Sequence, residues 1–145
     1  MLGPKEILTI VPHRYPFLFI DGILKQKEDE IWGYKNVCHN DPYLYRFPNE
    51  LPRLPETIIM ECMSQVGVVG ILSQPHASGK IMLFATAENL NFFRPVYAGN
   101  RLVTRIQRVY LKGNLGKMKA SSWVDDEPVA EGYFSFALVD SVSSQ

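Results

Sequence analysis

The chain has 145 residues, of which 46% are hydrophobic and 21% charged, and its 15 basic and 15 acidic side chains give a formal net charge of zero. This composition predicts one soluble globular domain over residues 1–145, long enough to bury a hydrophobic core. No basic block suggests nucleic acid or an anionic membrane surface as a partner. The first residues lack the pattern of a signal peptide and no apolar run is long enough to span a membrane, so a cytoplasmic location is expected.

The first 37 residues predict a short helix followed by a β-hairpin. Apolar residues behind a proline predict a helix or turn over residues 4–10, and Pro12 and Pro16 then favour an extended path. Two apolar, β-branched pieces flank a polar turn at residues 26–30. They predict a hairpin whose return strand is residues 31–37.

The middle of the chain predicts an ordered loop and then a buried helix. Residues 40–56 contain four prolines, which argue against a helix or a central strand. Residues 57–73 form an apolar run without a polar stripe, and a helix that is hydrophobic on every face is a buried one. Gly67 and Gly70 lie on one face of this helix, where small residues let a sheet approach closely. Residues 73–80 make a turn-rich exit.

The remainder of the chain predicts antiparallel strands. Turn residues separate the apolar and alternating segments, which are residues 81–88, 91–95, 101–110, 116–124 and 129–139. One buried helix with about six antiparallel strands is an α+β domain, with the sheet wrapped around the helix. Residues 141–145 are predicted to be a frayed tail.

Glu61 is the residue that points most directly to function. It is the only charged side chain between Thr57 and Ser73, where Gln65 is the only other large polar one. Because a carboxylate is costly to bury, Glu61 is either a well-bonded structural group or a functional acid.

The two cysteines indicate no metal or redox centre. Cys38 and Cys62 lie in unrelated contexts without a CxxC or Cys/His metal spacing. They are predicted to be reduced packing residues of a cytosolic protein, and no metal or cofactor is expected.

Five short motifs follow one another along almost the whole chain. They are PHRYPFL at 12–18 with Asp21, KNV at 35–37 with NDPY at 40–43, FP at 47–48 with LP at 54–55, ECMSQ at 61–65, and NFFRPV at 91–96 with GN at 99–100. In this order they resemble the 3-hydroxyacyl-[acyl-carrier-protein] dehydratases. The resemblance implies a hotdog fold, in which an antiparallel sheet of about six strands wraps one long buried central helix.

The resemblance also implies a composite active site between two protomers. In this family a His on the loop before the helix is the general base on the substrate's α-carbon. The helix Glu of the other protomer, here matched by Glu61, helps to expel the 3-hydroxyl as water, and Gln65 lies behind it. Backbone N–H groups near Glu56 and Thr57 would hold the thioester oxygen. Matching positions beside the acyl channel are His13, Phe17, Phe47, Phe92 and Phe93.

Partners and pathway follow from the same resemblance. The substrate would be a thioester of acyl carrier protein or coenzyme A, in fatty acid or polyketide biosynthesis. The assembly would be a homodimer or larger oligomer, or a heterodimer with a paralogue that carries the His.

One position departs from the family pattern. The family's catalytic His is replaced here by Arg46. A guanidinium stays protonated and has no acceptor, so it cannot take a proton. Losing a positioned general base costs about 10²–10⁴-fold in rate. Arg46 could instead form an ion pair with Glu61 or Glu56, and His39 is a weak alternative base.

The residues leave three interpretations open. The first is a non-catalytic or heterodimer-partner dehydratase subunit that supplies Glu61 to a site whose His comes from a paralogue. The second is an active dehydratase or hydratase with a rearranged site. The third is a hotdog acyl thioesterase in which Glu61 acts as nucleophile or activates water. Activity of the chain alone is therefore uncertain.

Overall fold

The computed structural model describes residues 1–142, which form one helix-and-sheet domain. The N-terminal part contains helix α1 (Pro4–Ile10) and strands β1 (Gly22–Gln26) and β2 (Glu30–Asn36), which pair as an antiparallel hairpin. The predicted short helix and hairpin are confirmed, although the first strand begins at Gly22. The segment after Pro12 is not extended throughout, because a turn is closed by the bond from Phe17 N to Arg14 O at 2.7 Å.

The central helix α2 spans Glu56–Leu72 and begins directly after Pro55. Most of its residues are buried, and a short 3₁₀ turn at Pro75–Ala77 follows it. The helix predicted over residues 57–73 is therefore confirmed to within one residue at each end. The loop before it is ordered, because Tyr45 and Arg53 exchange backbone hydrogen bonds at 2.9 and 3.1 Å.

The remaining strands are β3 (Lys80–Phe92), β4 (Arg101–Lys112), β5 (Leu115–Val124) and β6 (Glu127–Asp140). All six strands join one antiparallel sheet in the order β1-β2-β4-β5-β6-β3. The prediction of two separate strands at residues 81–88 and 91–95 was wrong. They are one strand, in which Asn89 has φ +51° and the register to β6 shifts between Glu88 and Asn91.

The sheet packs closely on α2 where the helix has glycines. A Cβ at Gly67 would lie 2.4 Å from the Met118 side chain on β5, and one at Gly70 would lie 2.8 Å from Ile31 on β2. These close approaches confirm the prediction that glycines on one face of the helix let the sheet approach closely. The last tail residues are only partly described: Ser141 N and Oγ both donate to Gly79 O at 2.9 Å, so Ser141 itself is not frayed, and residues 143–145 lie outside the described part.

Strand β3 forms one edge of the sheet and is exposed along most of its length. Large apolar side chains are uncovered on or just after this strand, namely Leu83, Phe84, Phe92 and Phe93. An uncovered apolar edge strand is a ready site for pairing with another chain. Within residues 1–142 no helix is long and apolar enough to cross a membrane.

Candidate active site

Glu61 is oriented by Gln65, one turn further along α2. Gln65 is fully buried, and its Nε2 donates to Phe17 O at 2.7 Å and to Glu61 Oε1 at 2.9 Å. Its Oε1 accepts the backbone N–H of Phe19 at 2.9 Å. The nitrogen and the oxygen of this side-chain amide both form hydrogen bonds with the backbone before β1. The side chain of Gln65 therefore has one orientation and holds the Glu61 carboxylate in place.

The carboxylate of Glu61 is not fully buried. Its side chain is 35% exposed. The helix predicted to be buried on every face is therefore partly accessible to solvent at Glu61. The imidazole of His13 lies on the same side, with Nε2 at 3.6 Å from Glu61 Oε1. His13 Nδ1 is buried and has no hydrogen-bond partner among the described residues.

A cavity of about 210 Å³ lies beside Glu61. Apart from Glu61, most of its lining is apolar or small and comes from α2, β3 and β6, namely Met60, Ser64, Phe84, Ala85, Thr86, Ala87 and Phe134. The Ser64 hydroxyl donates to Glu61 O at 3.0 Å and thus to the helix backbone. The cavity can therefore take an apolar chain with one carboxylate at its wall.

Arg46 is committed to the backbone of its own loop. Its Nη2 donates to His39 O and to Asp41 O, the latter at 3.0 Å. Neither of the two ion pairs considered for it, with Glu61 or with Glu56, occurs among the described residues. His39 is exposed, and its backbone carbonyl is one of the two acceptors of the Arg46 guanidinium.

The acceptor loop of Arg46 is joined to the core by Lys35. Lys35 is only 5% exposed, and its Nζ lies 3.4 Å from the Asp41 carboxylate and 5.4 Å from the centre of the Tyr43 ring. Burial by itself lowers the pKa of Lys35, but Tyr43, Asp21 and Asp41 outweigh it, and the net pKa is raised. Lys35 therefore stays charged as a buried anchor for the loop.

Comparison with known proteins identifies the family. A model of the FabA-like domain matches residues 11–133. The chain is 39% identical over 142 residues to the 3-hydroxyacyl-[acyl-carrier-protein] dehydratase FabZ of Desulforamulus reducens. This alignment covers 95% of this chain and 98% of the relative. Identity to the FabZ of Herpetosiphon aurantiacus is 41% over 142 residues, covering 97% and 100%. The chain belongs to the FabZ dehydratase family.

Solved structures show that this FabZ-family chain has the hotdog fold expected from its motifs. The dehydratase heterocomplex ApeI:P from Xenorhabdus doucetiae matches with a TM-score of 0.80 at 12% identity, over 92% of this chain and 91% of that chain. A thioesterase from Pseudomonas aeruginosa matches with a TM-score of 0.71 at 13% identity, over 94% of both chains. At such identities the likeness concerns the fold alone.

None of the other positions singled out from the FabZ resemblance lines the 210 Å³ cavity. Glu56 and Thr57 open α2, where the first backbone N–H groups have no intrahelical acceptor. The remaining aromatic candidates are exposed, namely Phe17, Phe47, Phe92 and Phe93. No cluster of three or more His, Cys, Asp or Glu residues that could hold a metal occurs among residues 1–142.

The cysteine prediction was right for one residue and wrong for the other. Cys62 is buried in α2 close to the site, and burial raises the pKa of its thiol to about 12. Cys38 is exposed and therefore is not a packing residue. Both are free.

The sequence motifs had not indicated what Arg14 does. Its guanidinium donates to Val11 O and His13 O, each at 2.8 Å, and to Leu8 O at 3.0 Å. It therefore fastens the segment that carries His13 to the end of α1. The PHR motif was visible in the sequence, but backbone acceptors leave no sequence signal of their own.

Proposed function

We propose that this chain is a dehydratase-like subunit that supplies the acid of a composite 3-hydroxyacyl-thioester site and does not catalyse dehydration alone. The observation that carries the proposal is the contrast between two positions. Arg46 spends its guanidinium on two backbone carbonyls and has no lone pair to accept a proton. Glu61, in contrast, is held by Gln65 and borders an open cavity.

The chemistry needs both halves of the site. A general base removes the proton from the α-carbon, the bond from the β-carbon to its hydroxyl breaks, and an acid protonates the departing oxygen so that water leaves. Glu61 suits the acid role because its carboxyl group reaches the cavity. The N–H groups of Glu56 and Thr57 suit the thioester oxygen, on which negative charge develops. The base has to come from another chain.

The edge strand β3 supports a second subunit next to the cavity. Phe84 lines the cavity and is itself part of the uncovered apolar edge, as Leu83 is. A partner paired on β3 would cover these side chains and close the cavity beside Glu61. If that partner is a paralogue with an intact loop His, one composite site is complete. In a pair of identical chains each site would contain Arg46 in place of the base.

The substrate class proposed is an acyl thioester carried by acyl carrier protein or coenzyme A. The FabZ relatives are dehydratases of acyl-carrier-protein thioesters by name, and the lining of the cavity is compatible with an acyl chain. A dehydratase heterocomplex with the same fold is a precedent for the unlike pairing that we propose.

A complementation assay tests the proposal. The chain is co-expressed with the FabZ of Desulforamulus reducens whose helix glutamate is replaced by glutamine, and the mixed assembly is isolated through a tag on each chain. Loss of enoyl-thioester absorbance then reports hydration. Neither chain alone should be active, whereas the mixed assembly should be, and Glu61→Gln should reduce its rate by about 10²–10⁴-fold.

The same assay separates the alternatives. Hydration by the unmodified chain alone would contradict the proposal and favour the rearranged dehydratase. Release of free thiol without hydration would favour a thioesterase, the second candidate, because Glu61 reaches the cavity while Arg46 occupies the position of the family's His on the loop before α2.

A further inference from the structure

His13 contacts the acid of the site from within the same chain. Its Nε2 lies 3.6 Å from Glu61 Oε1. The same oxygen accepts the Gln65 amide at 2.9 Å. Both polar contacts of the carboxylate therefore fall on Oε1, and Oε2 has no hydrogen-bond partner among residues 1–142.

We infer that His13 is a positioning residue for this acid. It directs its Nε2–H at Glu61 Oε1 and so leaves Oε2 as the oxygen that delivers the proton to the departing hydroxyl. The inference rests on the proposed function of Glu61, and it adds a residue of this chain's own that fixes which carboxylate oxygen reacts.

The burial of Nδ1 determines the tautomer of the His13 imidazole. A neutral imidazole carries one proton, and the buried Nδ1 of His13 has no partner in the described part of the chain. A proton on Nδ1 would leave a buried donor unsatisfied and would point the Nε2 lone pair at the carboxylate. A proton on Nε2 instead points at Oε1, so this tautomer is favoured.

The segment that carries His13 is anchored on both sides. Arg14 bonds three carbonyls, including that of His13 itself at 2.8 Å. Beyond the turn, Gln65 bonds Phe17 O at 2.7 Å and Phe19 N at 2.9 Å. The imidazole is thus held against Glu61 by bonds that do not depend on the carboxylate, which is what a positioning role requires.

His13 is not a substitute for the missing base. Its Nδ1 is buried, its Nε2 faces Glu61, and the ring is not among the residues that line the 210 Å³ cavity. Neither ring nitrogen can therefore reach a substrate α-carbon in that cavity.

The tautomer is tested on the unmodified chain without any activity. Long-range proton–nitrogen correlation spectra of the ¹⁵N-histidine-labelled protein are recorded at about pH 8, where a neutral ring shows its tautomer. His13→Gln assigns the signals of His13 against those of His39 and His76. The expected result is a proton on Nε2, and Glu61→Gln should shift the His13 signals alone. A proton on Nδ1 only, or no shift, overturns the inference.

Kinetics of the mixed assembly provide a second test with a matched pair of variants. His13→Gln keeps an N–H where Nε2 lies, whereas His13→Leu removes it. We expect His13→Leu to lower kcat by about 10-fold with KM nearly unchanged, and His13→Gln to keep most of the rate. Equal losses, or an effect on KM alone, contradict the positioning role. If the unmodified mixed assembly is inactive, the proposed function fails, and the spectra still decide the role of His13.

Discussion

The amide of Gln65 joins the carboxylate of Glu61 to the backbone that precedes the first strand. One Nε2 proton points to Glu61 Oε1 at 2.9 Å and the other to Phe17 O at 2.7 Å, while Oε1 accepts Phe19 N at 2.9 Å. The Glu61 carboxylate and the entry to the sheet are therefore parts of one hydrogen-bonded unit. A change at Gln65 affects stability and the site together.

Replacing Gln65 by Leu should destabilise the fold. Phe19 N would be left as a buried donor without a partner and Phe17 O would lose its bond, so we expect the free energy of unfolding to fall by roughly 2–3 kcal/mol. Urea denaturation measures this. Gln107→Leu is the matched control, because Gln107 is half-buried on β4 and its side chain makes no hydrogen bond among the described residues. Equal losses in the two variants would contradict the role given to Gln65.

Arg46 should stabilise the loop that it spans. Arg46→Ala removes the bonds to His39 O and Asp41 O, so amide exchange of the neighbouring Tyr45 and Arg53 pair should become faster. The free energy of unfolding should fall by about 1 kcal/mol, since the bonds are exposed. Hydrogen exchange followed by mass spectrometry measures the loop directly.

Arg94→Ala is the control for Arg46→Ala. The ion pair of Arg94 with Glu127, at 2.8 Å, is exposed on both sides, and exposed pairs contribute little. Unchanged loop protection in Arg46→Ala would show that the arginine does not hold the loop.

The same contacts imply that Arg46→His would regain an imidazole but lose the bonds that now shape its loop.

Sequence patterns predicted much of the fold because most of its elements are local. The apolar run around Glu61 predicted α2, and alternation predicted the later strands. The break at Asn89 was misread, since a polar pair inside a strand resembles a turn when it is in fact a bulge with positive φ. Only the pairing with β6, which continues on both sides of the bulge, shows that residues 80–92 form a single strand.

The site was predictable to a smaller extent. Glu61 and Gln65 stand out as polar residues in an apolar run, and their contact is one helical turn long. The contact of His13 with Glu61 joins residues far apart in the sequence, and the acceptors of Arg46 are backbone carbonyls that every residue has. Neither leaves a local pattern, so a sequence could suggest an ion pair for Arg46 that the fold does not form.

Lys35 should make stability fall at alkaline pH. Its pKa is raised in the folded state, so its contribution is fully present below the unfolded pKa of about 10.4 and is lost as pH rises through the folded pKa. Burial raises the pKa of Tyr43 despite the nearby lysine, which adds a loss of the same sign. Unfolding free energies measured from about pH 9 to about pH 11 should therefore fall less steeply in Lys35→Met than in the unmodified chain.

Lys5→Met is the control for this pH dependence. Lys5 is exposed on α1 and belongs to no ion pair among the described residues, so its replacement should leave the alkaline slope unchanged. A slope that is the same in Lys35→Met and the unmodified chain would mean that Lys35 keeps an ordinary pKa.

Strand β3 should be the surface on which the proposed second subunit pairs. Leu83 is 51% exposed on this edge strand, and Leu83→Glu would place a charge where the partner strand covers it. We expect the unmodified chain to run as a dimer or larger in light scattering, and Leu83→Glu to weaken assembly by about 10-fold or more in Kd, because it replaces an exposed apolar side chain of the edge strand by a charge.

The matched control for Leu83→Glu is Val109→Glu, because Val109 is 53% exposed and lies on β4, three strands away from the edge strand β3 in the sheet order. It adds the same charge in place of a similarly exposed apolar side chain, so assembly should be unaffected. If Leu83→Glu remained assembled while Val109→Glu dissociated, the interface would lie elsewhere on the sheet. The cavity beside Glu61 would then stay open to solvent, and a base supplied across β3 could not reach it.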